Sequence, residues 1–341
     1  YFFLLFAGYF IIRPLRDEMG MLGGVRSLAW LFTGTLIGML LAHPIYTALV
    51  ARLPRSRFIP IVYRFFAANL LVFFVLLKVV PADNQIWIAR IFFIWTSVFN
   101  LFVLAIFWSF MTDIFRSDQA KRLFGFIAVG GTLGAVAGSA ITAQLAGTIA
   151  PVNLLLVTVV FLELAVQCVR RLSRWSSGNE PGDAESPDRD SVIGGGIMAG
   201  ISAVARSPYL LAICAYLFCH TITATFLYFE QAEIVPLAFG DDRAARTVFL
   251  ARIDLAVNSL TAITQIFLTG RLFRLMGLAL SLAALPVVCA AGFLSLAASP
   301  TLITLAVFQV LRRTSNYAIS RPGREVLYTV LPREEKYKAK H

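Results

Sequence analysis

This chain is short of charge. Only 14% of its 341 residues are Asp, Glu, Lys or Arg, where soluble domains carry about 25%. Acidic residues are the scarcer sign, 19 against 30 Lys and Arg, so the formal net charge is +11. Histidine occurs three times and cysteine four times. Cys168, Cys214, Cys219 and Cys289 all lie in apolar stretches without metal-ligand spacing. That argues against a disulfide framework and makes each a buried small hydrophobe. His-Glu-x-x-His and nucleophile-elbow patterns are missing. An enzyme is not expected, nor a cofactor or metal.

What is present is hydrocarbon. Hydrophobic residues make up 58% of the chain, and the mean hydropathy is +0.77. A water-soluble fold of this size does not hide that much apolar surface. A membrane helix needs about 20 mainly apolar residues. By that rule ten segments are candidate spans: 1–22, 28–50, 58–80, 86–111, 122–147, 152–172, 208–229, 247–269, 275–297 and 301–327. The first and last are interrupted by charge. The expectation is an all-α polytopic membrane protein in a lipid bilayer. Tyr1 already stands in an apolar run, and Lys336 to His341 form a charged end. A chain truncated at both ends is therefore expected, with no signal peptide, because Arg13 follows the first apolar run instead of preceding it.

The positive charge is spread over inter-helix loops, which fits the cytoplasmic preference of Lys and Arg better than a nucleic-acid surface. With the first span starting in the cytoplasm, the inner loops carry Arg52, Arg55 and Arg57, then Arg116, Lys121 and Arg122. Arg170, Arg171 and Arg174 follow, then Arg271 and Arg274, then Arg333, Lys336, Lys338 and Lys340. The opposite side has bare loops at 147–152 and 298–301 and an acidic one with Glu230, Glu233, Asp241 and Asp242. A polar, Gly/Pro-rich stretch at 173–196 reads as a flexible cytoplasmic linker. It separates an N-terminal six-helix bundle, 1–172, from a C-terminal bundle, 197–341. Two bundles of six would make about ten of twelve spans present, the last two missing. Residues 197–206 read equally as a short surface helix or as a lead-in to the seventh span.

Charge inside membrane helices is costly, and there it marks substrate or ion pathways by default. Arg13, Arg16 and Asp17 interrupt the first span, and Arg321, Arg324 and Glu325 repeat the pattern Arg-Pro-x-Arg-acid in the tenth. A carboxylate beside each arginine offsets part of its burial cost and leaves net positive charge. The planar guanidinium fork suits phosphate or carboxylate. The plainer reading is helix ends with snorkelling arginines. Arg312 and Arg313 lie about 16 Å along the tenth span, near the midplane, so at least one is expected to face a polar cavity. Arg252 and Asp254 are expected to pair with neighbours on their own helix. Arg64, Arg90 and Glu163 are expected in interhelical ion pairs. His43 and His220 are candidate proton relays, though a lone histidine is more often a hydrogen-bonded packing residue. Gly130, Gly134 and Gly138 share one helix face, which predicts close helix packing and no nucleotide loop.

Three segments carry a family resemblance. Phe10-Ile11-Ile12-Arg13-Pro14-Leu15-Arg16-Asp17 is the first. Phe107-Trp108-Ser109-Phe110 with Asp118-Gln119-Ala120-Lys121-Arg122-Leu123-Phe124-Gly125 is the second, and Arg321-Pro322-Gly323-Arg324-Glu325 the third. Together they resemble the ATP/ADP translocases, nucleotide transporters of intracellular bacteria and plastids. That resemblance implies a major-facilitator-like fold of twelve spans and exchange of nucleotides across a membrane. It places the family's charged functional positions at Arg16, Asp17, Arg324 and Glu325. Both basic positions are Arg here, where the ATP/ADP exchangers typically have Lys, and the seventh and eighth spans carry no clear match. The expected protein is a transporter of a small anionic substrate, in the bacterial inner membrane, with a basic cavity between two bundles. Two alternatives stay open: a transporter of the same fold for another organic anion or small solute, and a non-transporting scaffold whose buried charges are structural pairs.

Overall fold

A segment surrounded by hydrocarbon must satisfy every backbone N–H and C=O internally, and a single chain of this composition does so by coiling into helices. A computed structural model describes residues 1–52, 55–81, 84–115, 117–178 and 207–327. The N-terminal run comprises α1 (Phe2–Met21), α2 (Val25–Arg52), α3 (Arg55–Val79), α4 (Ile86–Ile114), α5 (Ser117–Leu145) and α6 (Leu154–Gly178). After it come α7 (Pro208–Phe239), α8 (Arg243–Phe267), α9 (Thr269–Ala298), α10 (Leu302–Thr314), a π-helical turn (Ser315–Ser320) and α11 (Arg321–Leu327). Among the described residues all regular structure is helical.

Among the described residues, eight helices are long and apolar enough to cross a membrane. The expected ten differ from these by the two charge-bearing segments. α1 has the length but holds Arg13, Arg16, Asp17 and Glu18 within two turns. The segment 302–327 is broken into α10, the π-turn and α11. The seventh span also runs further than its apolar pattern, so Glu230 and Glu233 stand inside α7 and not in a loop. α9 contains Gly277 at φ +72, a backbone conformation open to glycine without strain. It sets the short piece with Arg271 and Arg274 apart from the apolar run that follows. Residues 173–178 continue α6; the rest of the expected linker and the 197–206 segment lie outside the described residues. The four cysteines are free, but only Cys289 is buried, whereas Cys214 and Cys219 are exposed on α7. This corrects the expectation of four buried thiols.

The chain divides into two compact units: Tyr1–Glu180 with Ala232–Ser259, and Pro181–Gln231 with Leu260–His341. α7 and α8 each contribute to both. In the first unit, α1 is the central helix, packed by α4, α5 and α6. Its contact with α5 depends on the predicted glycine face. A Cβ at Gly134 would run into the Phe3 carbonyl, and one at Gly138 into that of Ala7. Backbone cannot move aside as a side chain can, so both positions must stay bare. Hydroxyls fix the same helix: Thr142 donates to the Ile11 carbonyl at 3.2 Å and Thr158 to that of Gly8 at 3.4 Å. On the α3–α4 side the core is aromatic, with Phe66 edge-on to Phe99 and Trp95 stacked on Phe99.

Candidate functional site

The charged turn of α1 is held by ion pairs within the first unit. Arg13 Nη1 lies 3.4 Å from Asp254 Oδ1, and its guanidinium is 5.4 Å from the Phe10 ring centre. Arg16 donates from Nη1 to Asp17 Oδ1 at 3.0 Å, from Nη2 to Ser97 Oγ at 2.9 Å and from Nε to the Phe93 carbonyl at 3.4 Å. Its guanidinium also sits 3.9 Å from the centre of the Phe93 ring, a desolvated cation–π contact. Asp17 is buried.

Glu18, the residue after the predicted pair, is the most enclosed carboxylate of this cluster, with no exposed surface. Arg243 clamps it with Nε to Oε1 at 3.0 Å and Nη2 to Oε2 at 3.2 Å. Arg246 Nη1 is 3.8 Å from the same Oε1. The third Arg243 nitrogen, Nη1, donates to Gln85 Oε1 at 2.8 Å, and Gln85 Nε2 donates to the carbonyls of Leu77 and Val80. Arg246 donates from Nε and Nη2 to the Gly240 carbonyl at the end of α7. Four guanidinium groups (Arg13, Arg16, Arg243, Arg246) thus meet three carboxylates (Asp17, Glu18, Asp254). An anion entering here competes with resident carboxylates.

Sequence reasoning missed Glu18 because its partners stand 225 residues away in α8. The available signal was Arg243-x-x-Arg246, two arginines three apart on one helix face. Asp254 corrects a second expectation. It pairs with Arg13 of α1, while Arg252 is exposed and Asp254 buried, because residues two apart point to opposite sides of a helix. Arg64 and Glu163 do pair between helices, with Nη2 to Oε1 at 2.7 Å and Nε to Oε2 at 3.1 Å. Arg90 instead lies over the Trp87 ring at 4.6 Å.

The second unit arranges its arginines around a broken helix. Pro322 has no N–H for the carbonyl four residues back, and its ring crowds that carbonyl. The chain widens into the π-turn at Ser315–Ser320 just before it. The loosened carbonyls find side-chain donors: Thr269 Oγ1 donates to Ala318 O at 2.8 Å and Gln265 Nε2 to Tyr317 O at 3.2 Å. Tyr216 and Ser320 share a hydroxyl hydrogen bond of 2.8 Å. Arg312 and Arg313 precede the turn and are both 8% exposed. Arg321 and Arg324 follow it. Arg324 is half-buried, whereas Arg321 and Glu325 are exposed.

His220 of α7 lies within electrostatic reach of both Arg312 and Arg324. Its Nδ1 is buried and has no hydrogen-bond partner among the described residues, so it is not the satisfied packing histidine that base expectation favours. It lines a cavity of about 280 Å³ with Tyr216, Cys219, Thr223, Cys289 and Phe293. A buried amide pair, Gln309 Nε2 to Gln231 Oε1 at 2.9 Å, lies one turn before Arg312 and Arg313. The cavity wall is mainly apolar and includes none of the arginines, whose guanidinium forks suit an anionic group. Of the sequence-derived residues, Arg13, Arg16 and Asp17 come together in the first unit. In the second, the charges of Arg312 and Arg324 both act on His220, and Arg313 is buried next to Arg312 in the chain. Arg321 and Glu325 stand outside that group. Among the described residues no cluster of three or more His, Cys, Asp or Glu is placed to hold a metal ion. No family model matches the chain, and no curated protein matches it.

Proposed function

We propose that this integral membrane protein is a secondary carrier of a small organic anion, working by alternating access. The observation that carries the reading is the broken helix 302–327, with two buried arginines before the break and a half-buried one after it. Transporters build midplane sites from discontinuous helices, and π-turns recur at functional positions. In this account Arg312 and Arg324 bind the anionic group, with His220 as a polar neighbour and Arg313 as second cation. Arg321 and Glu325 act at the mouth. Arg13 and Arg16 are held by Asp254 and Asp17 and exchange these carboxylates for substrate during the cycle.

The three motif segments favour a nucleotide such as ATP or ADP, a major-facilitator-like arrangement and kinship with the ATP/ADP translocases. The loop charges favour a bacterial inner membrane with the 173–196 linker in the cytoplasm. The test is uptake of labelled nucleotides and a panel of organic anions into vesicles holding the purified protein. Saturable uptake of at least one anion is expected. Losing one charge-assisted contact in Arg312→Ala or Arg324→Ala is expected to cut it by about tenfold or more. Arg64→Ala, which touches a partly exposed pair, is expected to leave it intact. A second reading, a membrane scaffold without transport, draws on the carboxylate pairing of all four arginines in the α1 cluster. Absence of uptake for every anion tested, in folded protein, would favour it.

A further inference from the structure

A basic cavity lies far along the chain from the broken helix, in the first unit. It measures about 580 Å³ and is lined by Gly23, Arg26, Ser27, Trp30, Trp87 and Arg90, with isoleucine and leucine beneath. Both helices that form it, α2 and α4, begin at the cavity. The candidate spans Val25–Pro44 and Ile86–Thr112 therefore start there, which puts the cavity at the level where hydrocarbon gives way to headgroups. Trp30 and Trp87 are largely exposed. Exposed tryptophan at this depth is the signature of the aromatic belt.

The two arginines have no carboxylate partner among the described residues; the contact recorded for Arg90 is the Trp87 ring. Its Nη2 also reaches to 3.5 Å from where a Cβ of Gly23 would stand, so it leans over the turn that starts α2. Below the cavity α2 presents exposed Leu36, Ile37, Leu40 and Leu41, about 8 Å of apolar track at the helical rise. In the orientation proposed above this is the side that the Arg-rich loops avoid, so the rule that places cations in the cytoplasm does not account for Arg26 and Arg90.

We propose that this cavity binds the phosphodiester headgroup of an anionic phospholipid, with Arg26 and Arg90 on the phosphate and the acyl chains along α2. Basic pockets between membrane helices take such headgroups, and the apolar track distinguishes a lipid from a free phosphate. The site is independent of the transport reading.

The test uses the full chain in micelles, with retained lipid counted by native mass spectrometry. Phosphatidylglycerol and phosphatidylcholine are offered together, and inorganic phosphate is added in a separate arm. The wild type should keep phosphatidylglycerol in preference, by about fivefold per arginine, the effect of one cation at an anionic bilayer surface. Arg26→Gln with Arg90→Gln should reduce that preference to the phosphatidylcholine level, and inorganic phosphate should displace nothing. Equal retention of the two lipids by wild type overturns the proposal, as does undiminished preference in the double variant. Displacement by phosphate overturns it in favour of a free-anion site. Should the double variant fail to fold, Trp30→Ala replaces it and must lower the preference; an unchanged preference counts against the site.

Discussion

A guanidinium at hydrocarbon depth is tolerated only where its charge is met, and here the answers differ residue by residue. Glu18 is the sharpest case. It has no exposed surface and receives three nitrogens from Arg243 and Arg246. Removing one partner of a buried pair leaves the other charge stranded, at about 3–5 kcal/mol. Glu18→Gln is therefore expected to lower the melting temperature of the purified protein markedly. Glu18→Gln with Arg243→Gln is expected to recover part of the loss, which a double-mutant cycle measures. Arg16 and Asp17 were legible in the sequence because they are neighbours inside an apolar run. Glu18 belonged to the same run, yet its meaning depended on α8, and no local spacing reports a partner so distant. His220 was legible as a lone histidine, but the buried, unpartnered Nδ1 and the charges of Arg312 and Arg324 acting on it depend on the fold.

At the scale of elements, two devices make the charged segments possible. The first is close approach of α1 and α5 over Gly134 and Gly138, visible in the sequence as a four-residue glycine period. Gly138→Leu is expected to disrupt this packing, because the new side chain would meet backbone at Ala7. Overpacking of that kind costs about 1–3 kcal/mol or more, seen as a lower yield of monodisperse protein. The second device is the π-turn before Pro322. The proline is plain in the sequence, but the local pattern leaves 301–327 one span interrupted by charge. The break itself follows from where the freed carbonyls find donors, and Thr269 and Gln265 lie on other elements. Thr269→Val keeps the shape of the side chain and removes the donor. It is expected to destabilise by about 1–3 kcal/mol, the cost of a buried carbonyl left unsatisfied, measurable as a shift in thermal unfolding. The over-long α7 has a related origin: Glu230 and Glu233 ended the apolar pattern without ending the helix.

At the scale of the whole molecule, composition alone settled the class. Among the described residues all regular structure is helical and eight helices are long and apolar enough to cross a membrane, as 58% hydrophobic residues lead one to expect. Less legible was how the intramembrane charge divides. In the first unit the arginines of the α1 cluster are matched by buried carboxylates. In the second, Arg312 and Arg313 are buried at a helix break, and His220, whose Nδ1 has no hydrogen-bond partner among the described residues, lines an apolar cavity. Transport as proposed requires that this second group bind an anion. Equilibrium binding of labelled ATP, ADP and small organic anions to the purified protein tests it most directly, with Arg312→Gln plus Arg324→Gln as comparison. The predicted result is saturable binding of at least one anion by wild type, weakened about tenfold or more in a double variant that melts like wild type. Equal binding by the two proteins, or no binding of any anion by folded wild type, would contradict it.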